Sequence, residues 1–473
     1  MKNIFKNLLI EFHNTKIPQP SLRTLDLSSL SDELRKAYVF IGMRRSGKTW
    51  CLYQHMNSLL QEGIKTEQIL YLNFSDDRLL NITGSDLKFV LDAYQELYPQ
   101  YIDDPNVHFF FDEIQDVQNW ENFVRRLLDT EKMSIYITGS SAKMLSREIS
   151  TSLGGRVITR EIFPFSFHEY LQCIWNKSIS SNMIPKILLR KGTQKDILRE
   201  YLQDFLKNGG FPEAVILHRN TTTRIMDNKT VLEYVSKLVD LPKKLGELLQ
   251  SYVESVIYRD IVERYKISNI QAVKGLLVRC LQNSASLFSI NKTHNILKSQ
   301  GYAVSTDSLY EYMKYFEDAY CIFSVPIYNF SANKRMLTPK KIYPIDQGLI
   351  TAYTVNEAGE RSHRLETAVF SHLRRNNKEI YYYHTQQDSK EVDFLTLSPK
   401  GEMALYQVAE SIKEPETYQR EVSALKEAML ELDLKTGIIV TLEEEQEIKT
   451  TNGKIFCIPL LRFLLEHADK TPL

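Results

Sequence analysis

The sequence predicts an α/β protein in which a parallel sheet covered by helices leads the chain and smaller α+β modules follow. Three observations predict it. Five apolar runs, "YVFIG", "QILYLNF", "VHFFFDE", "SIYITGS" and "RVITREIF", alternate with helix-length segments between Ala37 and Phe163, the order in which parallel strands are joined by crossover helices. The first run opens directly onto "GMRRSGKTW", a turn bounded by Gly42 and Gly47 ahead of a helix-like stretch. The 473 residues exceed one typical hydrophobic core, and after "FPFSFHEYL" the alternation gives way to helical spacing, so further domains are expected.

In chain order, residues 1–35 read as an N-terminal segment and 36–165 as the sheet domain. Residues 166–245 read as a helical lid, interrupted in "FLKNGGFPEAV" by Gly209, Gly210 and Pro212, which end a helical pattern. Residues 246–355 carry amphipathic helices, then "YCIFSVPIYN" and "KKIYPID" on either side of a loop containing "SANKRMLTPKK". Helices followed by a hairpin indicate a winged-helix-like region or another small α+β module. Residues 356–473 read as helix "RLETAVFSHLRRN", strands "EIYYYHT", "EVDFLTL" and "ALYQVAES", helix "YQREVSALKEAMLEL" and strand "TGIIVTL".

Lys+Arg and Asp+Glu stand at 59 each, so no net field draws the whole molecule to nucleic acid or anionic lipid, and any polyanion site has to be local. There is no uncharged apolar run of about 18 residues and no signal-peptide pattern, so no membrane association is expected. Five widely spaced cysteines, odd in number and without a CxxC pair, fit reduced thiols in a cytoplasmic location. The ten histidines show no paired spacing, which leaves a structural zinc site without support.

The pattern G-x-x-x-x-G-K-[ST] is met by Gly42, Gly47, Lys48 and Thr49, with Met43, Arg44, Arg45 and Ser46 between the glycines and Trp50 after them. Such a loop points backbone N–H groups and a helix N-terminus at phosphate oxygens. Lys48 is suited to the β- and γ-phosphates and Thr49 to Mg²⁺. Asp112 and Glu113 end the run "VHFFFDE", where Asp112 can serve the metal and Glu113 can orient or deprotonate the attacking water. In "ITGSS", Thr138, Ser140 and Ser141 stand at the carboxyl end of the next strand, either sensing the γ-phosphate or capping a helix. Arg156 in "LGGRVITREIF" precedes the last strand, placed either to complete a neighbouring subunit's site or as a surface residue. No Asn/Thr-Lys-x-Asp run of the kind that reads guanine is present, which favours ATP.

Together, "GMRRSGKTW", "YLNFSD", "FFFDEIQDVQNWENFVRRLLD", "IYITGSSAKMLSREISTSLGGRV", "IFPFSFHEYL", "GGFPEAV" and "YRDIVERYKI" resemble the bacterial and archaeal ATPases of the AAA superfamily that carry a C-terminal domain of unknown function. The likeness runs over nearly the whole chain. It implies an AAA-type ATP-binding domain, a winged-helix region and a C-terminal module similar to the PD-(D/E)XK nuclease fold. It also implies that Arg156 is an intersubunit finger and that the chain forms a homo-oligomer.

The helix "STDSLYEYMKYFEDAY" is the natural recognition element of a winged helix, yet it carries Asp307, Glu311, Glu317 and Asp318 against Lys314, a charge balance that phosphates repel. The basic residues of the 334–341 loop, Lys334, Arg335, Lys340 and Lys341, form either a nucleic-acid contact or a solvated loop. In the C-terminal module, Glu366, Asp393 and Gln407 fall at positions similar to the nuclease acids, but Ala409 stands where that family carries its lysine. Lys390 and Lys413 are the neighbouring substitutes, and a degenerate nuclease fold used for binding or assembly is expected. The functional expectation is an Mg²⁺-dependent ATPase whose nucleotide state switches an oligomer. The alternatives are an ATP-gated nuclease and a non-hydrolysing assembly regulator.

Overall fold

The computed structural model describes residues 1–21, 23–24, 36–140, 153–180, 183–188, 192–223, 231–329, 331–354, 357–377, 379–387 and 389–466. It divides into two compact units, Met1–Phe163 with Asp318–Tyr320, and Pro164–Glu317 with Cys321–Leu473.

The first unit is built on a parallel sheet of five strands: β1 (Ala37–Ile41), β2 (Ile69–Asn73), β3 (His108–Asp112), β4 (Ser134–Gly139) and β5 (Val157–Glu161), in the order β2-β3-β4-β1-β5. The five expected runs are thus the five strands. All of β3, "HFFFD", is buried, as a central strand covered on both faces requires. The helices α1 (Lys2–His13), α2 (Lys48–Gln61), α3 (Lys88–Leu97) and α4 (Trp120–Thr130) flank the sheet. On α4, Trp120, Phe123, Val124, Leu127 and Leu128 are buried, a helical-period stripe facing the core. The N-terminal segment belongs to this unit: Phe5 and Leu9 of α1, one turn apart, are fully buried, and α1 lies along α3.

In the second unit, the helices Ile270–Gln282, Ile290–Ser299 and Thr306–Asp318 accompany a three-stranded antiparallel sheet of β6 (Ser286–Phe288), β7 (Ile322–Val325) and β8 (Lys340–Pro344), ordered β6-β8-β7. The expected hairpin is β7–β8. The short strand β6 falls between two helices and has no alternating pattern of its own, and the connecting segment holds a short helix, Ala332–Leu337.

A second, mixed sheet comprises β9 (Glu379–His384), β10 (Glu391–Leu397), β11 (Met403–Val408), β12 (Thr436–Thr441), β13 (Gln446–Lys449) and β14 (Lys454–Pro459), ordered β13-β14-β12-β11-β10-β9. Strands β9, β10 and β11 are antiparallel, while β12 runs parallel to β11. The helix Glu357–Asn376 covers one face through Leu365, Val369 and Leu373 together with Phe394, Tyr406 and Val440. The helix Pro415–Glu431 covers the other through Val422, Leu425 and Met429 together with Leu395, Leu405 and Ile439. Adjacent residues such as Leu405 and Tyr406 therefore face opposite helices, the period of two that a doubly covered strand imposes. The first of these cores also takes in Phe167, Leu202, Phe205 and Val215, so residues read as a lid share a core with the C-terminal sheet.

The Gly209–Gly210 break is a carboxylate seat as well as a helix end. Gly210 N donates to Asp346 Oδ2 at 2.8 Å and Gly348 N to Asp346 Oδ1 at 2.8 Å. Gly209 has φ +76°, and a Cβ there would lie 1.8 Å from Asp346 Oδ1. Both the left-handed backbone and the absence of space require glycine.

Candidate nucleotide site

The loop Gly42–Gly47 leaves the carboxyl end of β1 and enters α2 at Lys48. Gly47 caps α2 in the left-handed region, φ 99°, with no side chain satisfying the first turn. A first turn without a side-chain cap leaves its N–H groups available to an anion. Lys48 is buried, its Nζ donating to Gly42 O at 3.2 Å and Met43 O at 3.4 Å and standing 3.5 Å from Glu113 Oε1.

β3 brings the acidic pair to the same edge. Thr49 Oγ1 donates to Asp112 Oδ2 at 2.8 Å and to Oδ1 at 3.1 Å. Thr138 of β4, the strand lying between β3 and β1, donates its hydroxyl to Asp112 Oδ1 and accepts from Glu113 N at 2.9 Å. Glu113 sits in the left-handed region at φ 53°, a conformation costly for a residue with a side chain. Its Oε2 accepts from Gln115 Nε2 at 2.6 Å.

Burial, then the Glu113 charge, pushes the Asp112 carboxyl above its usual range, against the opposing hydroxyl bonds from Thr138, Thr49 and Tyr71. For Glu113, burial acts upward, but the Lys48 and Arg44 charges prevail and hold its carboxyl below the usual range. One acid is thus short of positive charge while its neighbour is supplied with it. A hydroxyl and a carboxylate in contact beside a phosphate-binding loop are the donor types that a magnesium ion takes alongside phosphate oxygens. The residues fit that ion, and the buried Ser46 Oγ, without a hydrogen-bond partner among the described residues, adds a polar atom to the same loop.

The other expected residues are placed less uniformly. Ser140 is buried at the end of β4, and Ser141 lies outside the described residues. Met43 is fully buried, and Arg45 is in the left-handed region at φ 67°. Trp50 is 45% exposed on α2, its ring edge-on to Tyr53. Arg156 is at the other end of the sheet: its carbonyl accepts from Ala37 N, where β1 begins, and its guanidinium pairs with Asp129 Oδ1 at 2.8 Å and donates to Leu128 O. The length of β1, about 16 Å for five residues, separates it from the chain's own loop.

Two residues of the site escaped sequence reasoning. Tyr71 on β2 donates its hydroxyl to Asp112 Oδ2 at 2.9 Å. Arg23, only 8% exposed, donates to Ser46 O at 2.7 Å and to Phe163 O, bracing the loop from the N-terminal segment. Tyr71 carried a signal in its register: it alternates with buried Leu70 and Leu72. Arg23 carried none, since it lies outside any periodic run.

In the second unit, Glu366, Asp393 and Gln407 lie close together, and the cation beside them is Lys341. Its Nζ is 3.1 Å from Glu366 Oε1, 2.9 Å from Asp393 Oδ1 and 2.7 Å from Glu391 Oε1. This corrects the reading of Lys341 as part of a basic surface loop: β8 carries it inward, and it is 3% exposed. Lys334 and Lys340 are exposed, as that reading supposed. It also corrects the proposed substitutes, since Lys390 pairs with Glu427 and Lys413 stands 4.0 Å from Glu444. Gln407 is already engaged, accepting from Asp393 N through Oε1 and donating to Glu421 through Nε2. Burial and the Asp393 charge push the Glu366 carboxyl up to about 8, while the His384 and Lys341 interactions overcome burial and hold Glu391 down to about 2.

Among the described residues no helix is long and apolar enough to cross a membrane. Residues 34–171 match the model of an AAA domain, and residues 233–360 and 362–463 match two domains of unknown function, DUF8612 and DUF4143. Among solved structures, the chain is similar to the Walker-type ATPase PABY2304 of Pyrococcus abyssi, at 13% identity and a TM-score of 0.43, covering 71% of this chain and 99% of that one. It is also similar to Cdc6p of Pyrobaculum aerophilum, at 14% identity and a TM-score of 0.26, covering 66% and 90%. An uncharacterized protein of Haemophilus influenzae is 28% identical over 80% of this chain and 83% of its own length. The uncharacterized protein MJ1544 of Methanocaldococcus jannaschii is 33% identical over 451 residues, 93% of this chain and 89% of that protein. With this identity over nearly its full length, the chain belongs to the family of MJ1544, and the loop, strand order and AAA-domain match identify its first unit as a P-loop unit of the AAA ATPase superfamily.

Proposed function

We propose that the chain hydrolyses ATP with magnesium and that the nucleotide state drives a change in a homo-oligomer. The observation that carries this is the meeting, at one sheet edge, of Lys48 with Glu113 and of Thr49 with Asp112. Thr49 and Asp112 would hold magnesium, which when bound supplies charge to the phosphate oxygens and aligns them. The Lys48 ammonium would exchange its Glu113 and carbonyl partners for phosphate oxygens, and this exchange releases Glu113 to take a proton from the attacking water. Thr138, bonded to both acids, keeps them in register through the exchange. Lys48→Ala is expected to abolish nucleotide binding, and Glu113→Gln to retain binding and lose phosphate release. Equal turnover in wild type and Glu113→Gln would overturn the reading.

Arg156 is remote from its own loop and partly exposed, which supports a role as a finger in a neighbouring copy. The element order of residues 270–344 supports a winged-helix-like region. The helix, three antiparallel strands, helix and parallel strand of residues 357–441 support a nuclease-like fold. Lys334 and Lys340 remain the exposed cations available to a nucleic-acid backbone, and a cytoplasmic setting suits the five buried free cysteines.

A further inference from the structure

The pocket of Glu366 and Asp393, which Glu391 also lines, is where a nuclease-like fold would seat its divalent metal, and the residues present do not fit one. The centre is filled. The Lys341 Nζ lies 2.7–3.1 Å from one oxygen of each of the three carboxyls. The second oxygens of two of them are committed as well, Asp393 Oδ2 accepting from Val408 N at 3.0 Å and Glu391 Oε2 pairing with His384 Nε2 at 3.1 Å, while Glu366 Oε1 accepts from Tyr343 Oη at 2.6 Å in addition to the ammonium. As the side chains stand, no group of three His, Cys, Asp or Glu among the described residues is set to hold a metal.

We propose that the Lys341 ammonium is a built-in cation that takes the place of a divalent metal in this pocket, so that the pocket fastens β8 to the C-terminal sheet and cleaves no nucleic acid. An ammonium and a calcium ion both accept a shell of oxygens, at about 2.8 Å and about 2.3–2.6 Å respectively. A metal at the centre would have to displace the ammonium, because two cations within one shell of oxygens repel where burial removes screening. The ammonium itself performs no metal chemistry. It neither polarises a phosphoryl oxygen as a divalent ion does nor yields a metal-bound hydroxide. The lysine arrives from β8, far in sequence from the acids, so the contact joins the three-stranded sheet to the six-stranded one. This inference is independent of ATP turnover in the first unit.

The test removes the ammonium and supplies a metal. Lys341→Met keeps the methylene volume, and calcium or the similarly sized probe Tb³⁺ is added to the full chain, with Tyr343 beside the pocket as sensitiser. Lys341→Met is expected to melt below wild type in chelator, to regain most of that loss in millimolar calcium, and to show tyrosine-sensitised Tb³⁺ emission that disappears in Lys341→Met/Asp393→Asn. Wild type is expected to show no such emission at the pocket and no calcium-dependent shift that Asp393→Asn removes. The proposal is overturned if Lys341→Met does not fold in either condition, or folds and ignores the metal. It is equally overturned if wild type binds Tb³⁺ or cleaves DNA or RNA with magnesium or manganese in a manner lost in Asp393→Asn.

Discussion

Truncating Arg23 to alanine tests the packing of the phosphate loop. Its guanidinium is the donor to Ser46 O at 2.7 Å and also reaches Phe163 O. The backbone of Arg23 stays anchored without the side chain, because Arg23 N donates to Gln54 Oε1 at 2.8 Å and Gln54 Nε2 to Arg23 O at 2.9 Å. The variant therefore takes one donor from each of two carbonyls. Each lost bond costs about 1–3 kcal/mol, so the unit should lose about 2–6 kcal/mol. With a urea slope of about 2 kcal/mol/M, the unfolding midpoint falls by about 1–3 M. Tryptophan fluorescence reports it, Trp50 and Trp120 lying in this unit, in a Trp175→Phe background that silences the other. ATP affinity measured on the same samples should weaken by about tenfold if roughly 1.4 kcal/mol of the loss falls on the loop. Arg23→Lys, with one ammonium for two carbonyls, should fall between. A midpoint unchanged in Arg23→Ala, with unchanged ATP affinity, would refute the bracing role.

Further outcomes follow from the same geometry. Thr138→Val removes the acceptor of Glu113 N and a donor to Asp112 at nearly constant volume; it should lower stability by about 1–3 kcal/mol and reduce phosphate release more than nucleotide binding, read by urea unfolding and steady-state turnover. If Arg156 acts on a neighbouring copy, Arg156→Ala and Lys48→Ala proteins, each inactive alone, should regain part of the turnover when mixed, and no recovery at any ratio refutes the role in trans. Gly209→Ala places a methyl against Asp346 and should lower the thermal midpoint, whereas Gly63→Ala, at φ +98° with nothing within 4 Å of a Cβ, carries only the left-handed backbone strain and should be milder.

The pH dependence follows from Asp346, whose carboxyl burial pushes up to about 6 against the bonds from Gly210 N and Gly348 N. The folded chain holds this proton to about pH 6, while the unfolded chain releases it near the ordinary value of 3.8. Its contribution to stability is therefore full below about pH 4 and falls as pH rises through about 6, by up to about 3 kcal/mol. Urea midpoints at pH 4, 5 and 6 should converge between wild type and Asp346→Asn, and parallel curves would contradict the assignment.

Much of the first unit was legible because parallel strands buried on both faces read as continuous apolar runs, and "VHFFFDE" displays such a run together with the acids that end it. The loop was legible because its glycines, lysine and threonine are adjacent in sequence. Arg23 was not, since it reaches the site through a tertiary contact that no local spacing encodes, and for Tyr71 the alternation of β2 shows the face it takes but not its partner. Lys341 was misread for a related reason. In "PKKIYPI" two adjacent lysines look like one charge cluster, yet the pleat of β8 leaves Lys340 exposed and buries Lys341. The absent lysine of the C-terminal acids was sought beside them in sequence, whereas the fold supplies an ammonium from another sheet. β6 was missed because three residues are too few to display alternation.

The Gly209–Asp346 contact has a consequence for how this chain can change. The oxygen of residue 346 occupies the volume that any side chain at 209 would fill, so neither position can be altered freely while its partner stays. An extra methyl at 209 is tolerated only with a shorter residue at 346, and that shortening strips Gly210 and Gly348 of their acceptor. Each change alone is destabilising, which ties two sites 137 positions apart into a single heritable character.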